Sequence, residues 1–463
     1  MKPFKFLLLI LFSGLGVLSL TFSYSNGIMA NVWDEGNREL TKIEHGIPSY
    51  NEATIVYRRD GKPVLEVELQ APIIVSVASK PEGWGFHQFP SLYRSAEGPL
   101  AATWSYAEDI PASFGVGQSF FALSSDNGKT WNLSDQPEKP LGDGIYALRL
   151  PENEGYISAR NVPALKESEL QLPPPVATHT VEEGNTYTFY RMSELPEALQ
   201  GAYLNRWDGN GVWSEIHAGL DDPGLVRYSI HGICPVVWWG DMKLLPDKSI
   251  VACIHPVSYE RETGGVTPMA VSLYRSTDYG MNWKIQGKIP YHCESESPRC
   301  LYGYQEPAFE ILTDGSFLCV MRNEAPNWWN PMHVSRSTDQ GVTWSRPLAV
   351  TPNGVMPRLL QLDNGVLVLS SGRPGVQVRF SLDGKGEMWT DPFEMIPPFA
   401  DEGWDVWNKA ASCGYTDLLA AGPDSFFVIY SDFRHLNQNN EERKAIKVRK
   451  IKVTKLGCSR EMR

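Results

Sequence analysis

Beyond residue 30 the hydrophobic positions do not recur at the three- and four-residue spacing of an amphipathic helix. They come in short runs broken by Gly, Asp-Gly or Asn-Gly, the pattern of strands joined by tight turns. One unit reads Glu306 to Ile311, then Leu312-Thr313-Asp314-Gly315-Ser316, then Phe317 to Arg322, and a second runs from Met356 to Gly372 around Asn364-Gly365. Phe89-Pro90-Ser91-Leu92, Cys234-Pro235-Val236-Val237 and Gly414-Tyr415-Thr416-Asp417-Leu418 begin three more. The pattern predicts an all-β chain built from repeated hairpins.

A second motif recurs downstream of such hairpins. Clean copies are Ser124-Ser125-Asp126-Asn127-Gly128-Lys129-Thr130-Trp131, Ser276 to Trp283 and Ser337 to Trp344, with weaker versions at Trp207 to Trp213 and Ser381 to Trp389. Ser and Asp side chains can accept from turn amides, Gly supplies a positive φ, and Trp packs back between sheets. The motif therefore reads as a structural turn, and its repetition predicts one sheet per unit arranged radially. With a final unit from Tyr415 to Lys455 that lacks the turn, the expectation is a six-bladed β-propeller spanning 31–463 as one domain. The segment Thr54 to Leu69 is expected to supply a strand that closes the ring.

Composition narrows the function classes. The chain has 463 residues, 42% hydrophobic and 11% aromatic, which is too apolar for disorder. Its net charge of −12 would repel a phosphate backbone, so nucleic acid is not an expected partner. Lys2 and Lys5 precede an apolar run from Phe6 to Leu20, followed by small residues Ser23 and Ser25. That is the layout of a signal peptide over 1–25, and the run is shorter than the roughly 20 residues that span a bilayer. A secreted or periplasmic protein without stable membrane insertion is expected. Of the seven Cys, Cys293 and Cys300 are spaced to close a small loop, and the others read as buried thiols. The nine His show no close pairs at metal-ligand spacing, so no metal and no cofactor is expected.

Strand direction sorts the candidate chemistry. In a blade of four alternating strands, the start of the first strand and the end of the second lie on one face, opposite the Asp-Gly and Ser-x-Asp turns. Glu306 and Tyr415 begin first strands, Gln88 sits beside one with His87, and Arg322 and Arg373 end second strands. Asp109, Trp104, Trp328-Trp329, His255 and Arg434-His435 fall near second-strand ends or the loops after them. All are expected to converge on one mouth of the axis, a common place for ligands. The basic stretch Arg443 to Lys455 reads as the polar face of an edge strand.

The Ser-x-Asp-x-Gly-x-Thr-Trp turns resemble the Asp-boxes (BNR repeats) of the sialidase superfamily, and the resemblance covers nearly the whole chain after 1–25. It implies a secreted, exo-acting glycoside hydrolase with a glycan as its partner. By this resemblance Tyr415 is the nucleophile, Glu306 its partner, and Asp109, or Glu108 beside it, the acid/base. Arg322 and Arg373 match two of the three arginines that grip a substrate carboxylate, and Gln88, His87 and Trp104 join them as substrate-binding candidates. The chain departs from the family at Phe86-His87-Gln88-Phe89-Pro90, where Gln88 replaces the first arginine and offers hydrogen bonds without charge. The expected substrate is therefore an acidic or deoxy sugar other than sialic acid. A true sialidase, a polysaccharide lyase using His87 and Tyr415, and a non-catalytic glycan-binding propeller stay open as alternatives.

Overall fold

The computed structural model describes residues 42–43 and 53–456 except 59, 96–97, 114–117, 135–141, 182–183, 237–239, 294, 327–329, 374 and 398–413. The segment 1–25, Trp328, Trp329, Cys413 and Cys458 lie outside the described residues. The described chain is all-β, its helical elements limited to short 3-10 turns. No helix among the described residues is long and apolar enough to cross a membrane.

Antiparallel four-strand meanders dominate. The first contains Phe86–Arg94, Leu100–Tyr106, Gln118–Ser124 and Asn132–Ser134. The second (Ala147–Arg149, Tyr156–Ala159, Ala202–Trp207, Trp213–Asp221) and the third (Asp241–Leu244, Ile250–Ile254, Val271–Ser276, Asn282–Ile289) share one eight-stranded sheet. Their last strands meet in parallel, Gly219 opposite Asn282. The fourth holds Tyr304–Ile311, Phe317–Asn323, Met332–Ser337 and Leu348–Thr351, and the fifth Val355–Gln361, Leu367–Gly372, Val376–Ser381 and Phe393–Ile396. The last is built on Thr416–Gly422, Ser425–Leu436 and Glu442–Lys455.

Glu442–Lys455 is not an edge. On one side it pairs with Ser425–Leu436, and on the other with Pro63–Leu69 and Ile73–Val77. The expected pairing of the N-terminal segment with this last unit is thus present, made by the second strand of the Ala53–Tyr57/Pro63–Leu69 hairpin. Two of the basic residues expected on the polar face of an edge strand are buried instead, while Glu442 and Lys452 stay exposed. Lys444 and Arg449 are both buried and donate to backbone oxygens: Lys444 Nζ to Gly83 and Phe86, and Arg449 Nε to Gln70.

The core lies between successive sheets. Leu92, Trp104 and Ile429 fill the space between the last and first meanders, Ile157, Leu204 and Trp283 that between second and third, and Val320, Leu359 and Trp389 that between fourth and fifth. First strands stand beside first strands: that of the fourth meander packs on those of the third and fifth, and Thr416–Gly422 packs on Val355–Gln361 and Phe86–Arg94. Carboxylates stitch these neighbours together. Asp417 Oδ2 accepts from Leu92 N at 2.9 Å, Asp241 Oδ2 from Phe309 N at 3.1 Å, and Glu310 Oε2 from Gln361 N at 3.3 Å.

The recurring Ser-x-Asp turns join third to fourth strands at the end away from Tyr415. In Ser337 to Trp344, Gly341 N donates to Ser337 Oγ (2.7 Å), Thr343 N to Asp339 Oδ1 (2.9 Å) and Trp344 Nε1 to Gly341 O (3.0 Å). Bonds from the Thr343 hydroxyl, which contributes most, the Thr343 amide and the Ser337 hydroxyl hold the Asp339 carboxyl down to about 2. Gly341 takes φ +88° and a Cβ there would collide with Leu273 of the preceding meander, so the turn requires glycine both for its conformation and for its packing.

One element has no counterpart in the repeat pattern. A five-stranded sheet, ordered Leu165–Lys166, Ile233–Cys234, Val226–Ile230, Thr186–Arg191 and Ala177–Thr180, is assembled from chain inserted within and after the second meander. Its apolar face, with Phe189, Val226 and Ile230, packs on Val257, Leu301 and Tyr302. Cys293 and Cys300 are disulfide-bonded with Cα atoms 5.8 Å apart, and Cys234, Cys253 and Cys319 are buried thiols.

Candidate active site

The site is built on a repeated backbone irregularity. In the first, fourth and fifth meanders the first strand carries a residue with positive φ directly before a proline: Phe89 (54°), Glu306 (47°) and Met356 (46°). At each the pairing register slips, as between Gln305 and Ala308. Such a bulge bends the strand and re-aims one side chain, at a backbone cost of about 1–3 kcal/mol that the surrounding sheet must offset.

At the fourth meander the re-aimed side chain is Glu306. Its Oε1 accepts the Tyr415 hydroxyl at 2.7 Å and Arg322 Nη1 at 3.1 Å, and its Oε2 accepts Met356 N at 2.7 Å. Burial works against a charge on Glu306, yet Arg322, the Tyr415 hydroxyl, the Met356 amide and Arg373 together hold its carboxyl below the usual range. Burial, reinforced by the Glu306 charge, pushes the Tyr415 phenol well above its ordinary value. The pair is therefore a neutral phenol donating to an ionised carboxylate.

Arginines surround this pair. Arg322 also donates from Nη2 to Glu324 Oε1 (3.1 Å), and Arg299 Nη2 lies 3.8 Å from the same oxygen. Arg373 stands over the Trp84 ring at 5.0 Å and forms no ion pair with a carboxylate among the described residues. Its Nε and Nη2 have no hydrogen-bond partner there. Burial depresses its guanidinium, offset in part by the Tyr415 field. Trp84 also donates from Nε1 to Asp109 Oδ2 at 2.8 Å and sets its edge against Phe89 and Phe433. His255, at the end of the third meander's second strand, is lowered chiefly by burial and feels both Glu306 and Arg322.

The structure thus brings Tyr415, Glu306 and Arg322 into direct contact, with Arg373 and Asp109 linked through Trp84. Gln88 is fully buried beside them. Its Oε1 accepts from Gly85 N and from Lys444 Nζ (3.0 Å), which leaves Nε2 as the end nearest Gly414, 3.9 Å from where a Cβ on that glycine would lie. Lys444, desolvated to about 8, is the only cation bonded to it among the described residues.

Two expected residues are placed elsewhere. Trp104 is 2% exposed and sits in the apolar layer between sheets, because it shares strand parity with the core residues Leu100 and Ala102. His87 is engaged by residues outside the Tyr415 group: it too has a positive φ (47°), and its ring nitrogens bond Glu82 (2.7 Å) and Ser76 (3.1 Å). Sequence reasoning passed over Trp84, Arg299, Glu324 and Lys444. Glu324 was within reach, since it follows Arg322 by two residues and so shares its strand parity.

No family model and no curated protein matches the chain. Among solved structures, a protein of unknown function from Dyadobacter fermentans is 16% identical with a TM-score of 0.56, over 84% of this chain and 99% of that one. The two share a fold. A Hadza microbial sialidase is 15% identical with a TM-score of 0.45, over 89% of this chain and 74% of its own. An α-L-arabinanase of Penicillium chrysogenum is 16% identical with a TM-score of 0.45, over 82% and 98%. At such scores these two likenesses carry no argument about activity.

Proposed function

We propose that the chain is an exported, exo-acting glycoside hydrolase of the sialidase type, built as a single six-bladed propeller. The observation that carries this reading is the 2.7 Å bond from the Tyr415 hydroxyl to an ionised Glu306 that Arg322 and the Met356 amide also hold. For the architecture, the support is the succession of four-strand meanders with first strands packed side by side, and the Asp-turn hydrogen bonds that match the Asp-box reading. For export, the support is the N-terminal pattern of 1–25 and the Cys293–Cys300 disulfide.

In this mechanism the Tyr415 oxygen attacks the anomeric carbon while its proton passes to Glu306, so a neutral phenol becomes a nucleophile only as the bond forms. Asp109 protonates the departing glycosidic oxygen. Asp109 then takes a proton from water, which attacks the same carbon, and Glu306 returns the proton to the Tyr415 oxygen as it leaves. Arg373, whose Nε and Nη2 have no partner among the described residues, holds an anionic or oxygen-rich substituent of the sugar. Gln88 offers that substituent a neutral amide in place of a third guanidinium, which favours a uronic or deoxy sugar over sialic acid. A lyase using His87 is disfavoured, because both nitrogens of its ring are engaged by Glu82 and Ser76.

A panel of plant, algal and host glycans, with released monosaccharides read by mass, tests the reading. Release of a saturated sugar, lost in Tyr415→Phe, is expected. Release of an unsaturated uronate, or binding with no release by the native chain, would overturn it. Free sialic acid would overturn the role given to Gln88.

A further inference from the structure

We propose that Ser76, His87 and Glu82 form a second hydrolytic site, which cleaves acyl esters independently of the Tyr415 group. His87 Nδ1 lies 2.7 Å from Glu82 Oε2, and His87 Nε2 lies 3.1 Å from Ser76 Oγ. A carboxylate only accepts, so Nδ1 carries the proton and the neutral ring presents a lone pair at Nε2 to the Ser76 hydroxyl. That is the tautomer a histidine needs in order to act as base toward serine.

Other histidines of the fold are bonded differently. His179, His217 and His333 each place a ring nitrogen on a backbone carbonyl, whereas among the described residues His87 alone sets both nitrogens on side chains. Its ring is clamped by Trp104 and Tyr106 (centroids 6.1 and 6.0 Å away), so its direction is fixed. The side chains of His87 and Glu82 are 7% and 4% exposed, while Ser76, on the short strand Ile73–Val77, is only half-buried. The relay thus runs from a buried carboxylate to a hydroxyl at its open end. Burial, countered in part by Glu82 and aided by Lys444, keeps His87 below its ordinary value, which leaves the ring neutral near pH 7.

In the first step Ser76 Oγ adds to the ester carbonyl carbon as its proton moves to His87 Nε2. The C–O bond to the alcohol breaks and the alcohol leaves with that proton. Water then gives a proton to His87 and its hydroxyl to the acyl carbon, and the proton returns to Ser76 as the carboxylic acid departs.

The test treats the full chain with a fluorophosphonate probe and maps the adduct by peptide mass. An adduct on Ser76 is expected, absent in Ser76→Ala and formed roughly 10²-fold more slowly in His87→Gln. 4-Nitrophenyl acetate turnover should persist in Tyr415→Phe and vanish in Ser76→Ala, a variant that lacks one hydroxyl and should keep the native melting temperature and any glycan-releasing activity. No adduct on Ser76, or equal ester turnover in Ser76→Ala and the native chain, would overturn the proposal.

Discussion

The fourth and first meanders use one backbone device to different ends. Both carry a left-handed residue before proline in the first strand, Glu306-Pro307 in one and Phe89-Pro90 in the other. In the fourth, the bulge delivers a carboxylate to the Tyr415 hydroxyl. In the first it delivers a phenyl ring, 4.8 Å from the Tyr415 ring, and a second left-handed residue two positions earlier, His87, is bonded to Glu82 and Ser76. The backbone decides which position is re-aimed, and the side chain found there decides whether the result is chemistry or a wall. Glu306 and the arginines accordingly gather on the fourth and fifth meanders, while the first contributes aromatic surface, a neutral amide and, from the loop after its second strand, Asp109.

The sharpest way to break this comparison is on the charged side. Tyr415→Phe should abolish sugar release, with the protein still folded by circular dichroism. Glu306→Gln should lower kcat by about 10²–10⁴-fold, the range for loss of a general base, in steady-state assays of the same release. Glu306 is ionised in the active form and its carboxyl is held below the usual range. Activity that depends on it should therefore stay level as pH falls through the ordinary carboxylate range, and decline only as pH passes the depressed value; a pH profile of kcat checks this.

On the aromatic side the losses should be of stability. Trp104→Ala should cost about 3–5 kcal/mol in denaturant titration, the usual penalty for emptying a buried indole site, with kcat per folded molecule little changed. A large fall in kcat without a fall in stability would return Trp104 to the substrate site. The smallest effect belongs to the far end: Asp339→Ala should lower the melting temperature modestly and leave activity intact. Because that carboxyl is depressed to about 2, its contribution in the native chain should persist at neutral pH and fade only as pH falls toward that value.

Much of this was legible in the primary structure, for reasons of local physics. The Asp-Gly hairpins and the Ser-x-Asp turns are encoded by neighbouring residues, so Ser337 to Trp344 announces its own hydrogen bonds. Strand order then carried Glu306, Arg322 and Tyr415 to one end. Trp104 was misplaced by parity, a distinction of one residue that Leu100 and Ala102 could have settled. His87 was misplaced because nothing local marks a positive φ in a bulky residue. Lys444 could not be foreseen as Gln88's partner, since that contact exists only when the last strand lies against the first meander. The inserted sheet escaped notice because its strands pair out of sequence order, Leu165–Lys166 with Ile233–Cys234.

The pairing of Pro63–Leu69 with Glu442–Lys455 makes an early strand and the last described strand of the architecture neighbours. During synthesis the first of these must wait, its hydrogen-bonding edge unsatisfied, until nearly everything else has emerged. Completion is therefore a late event that depends on long-range closure, and a nascent chain stalled before residue 442 would expose that edge to other molecules. Once latched, pulling the two strands apart along their length would load their ladder bonds together in shear, so the joint that forms last should also resist force well.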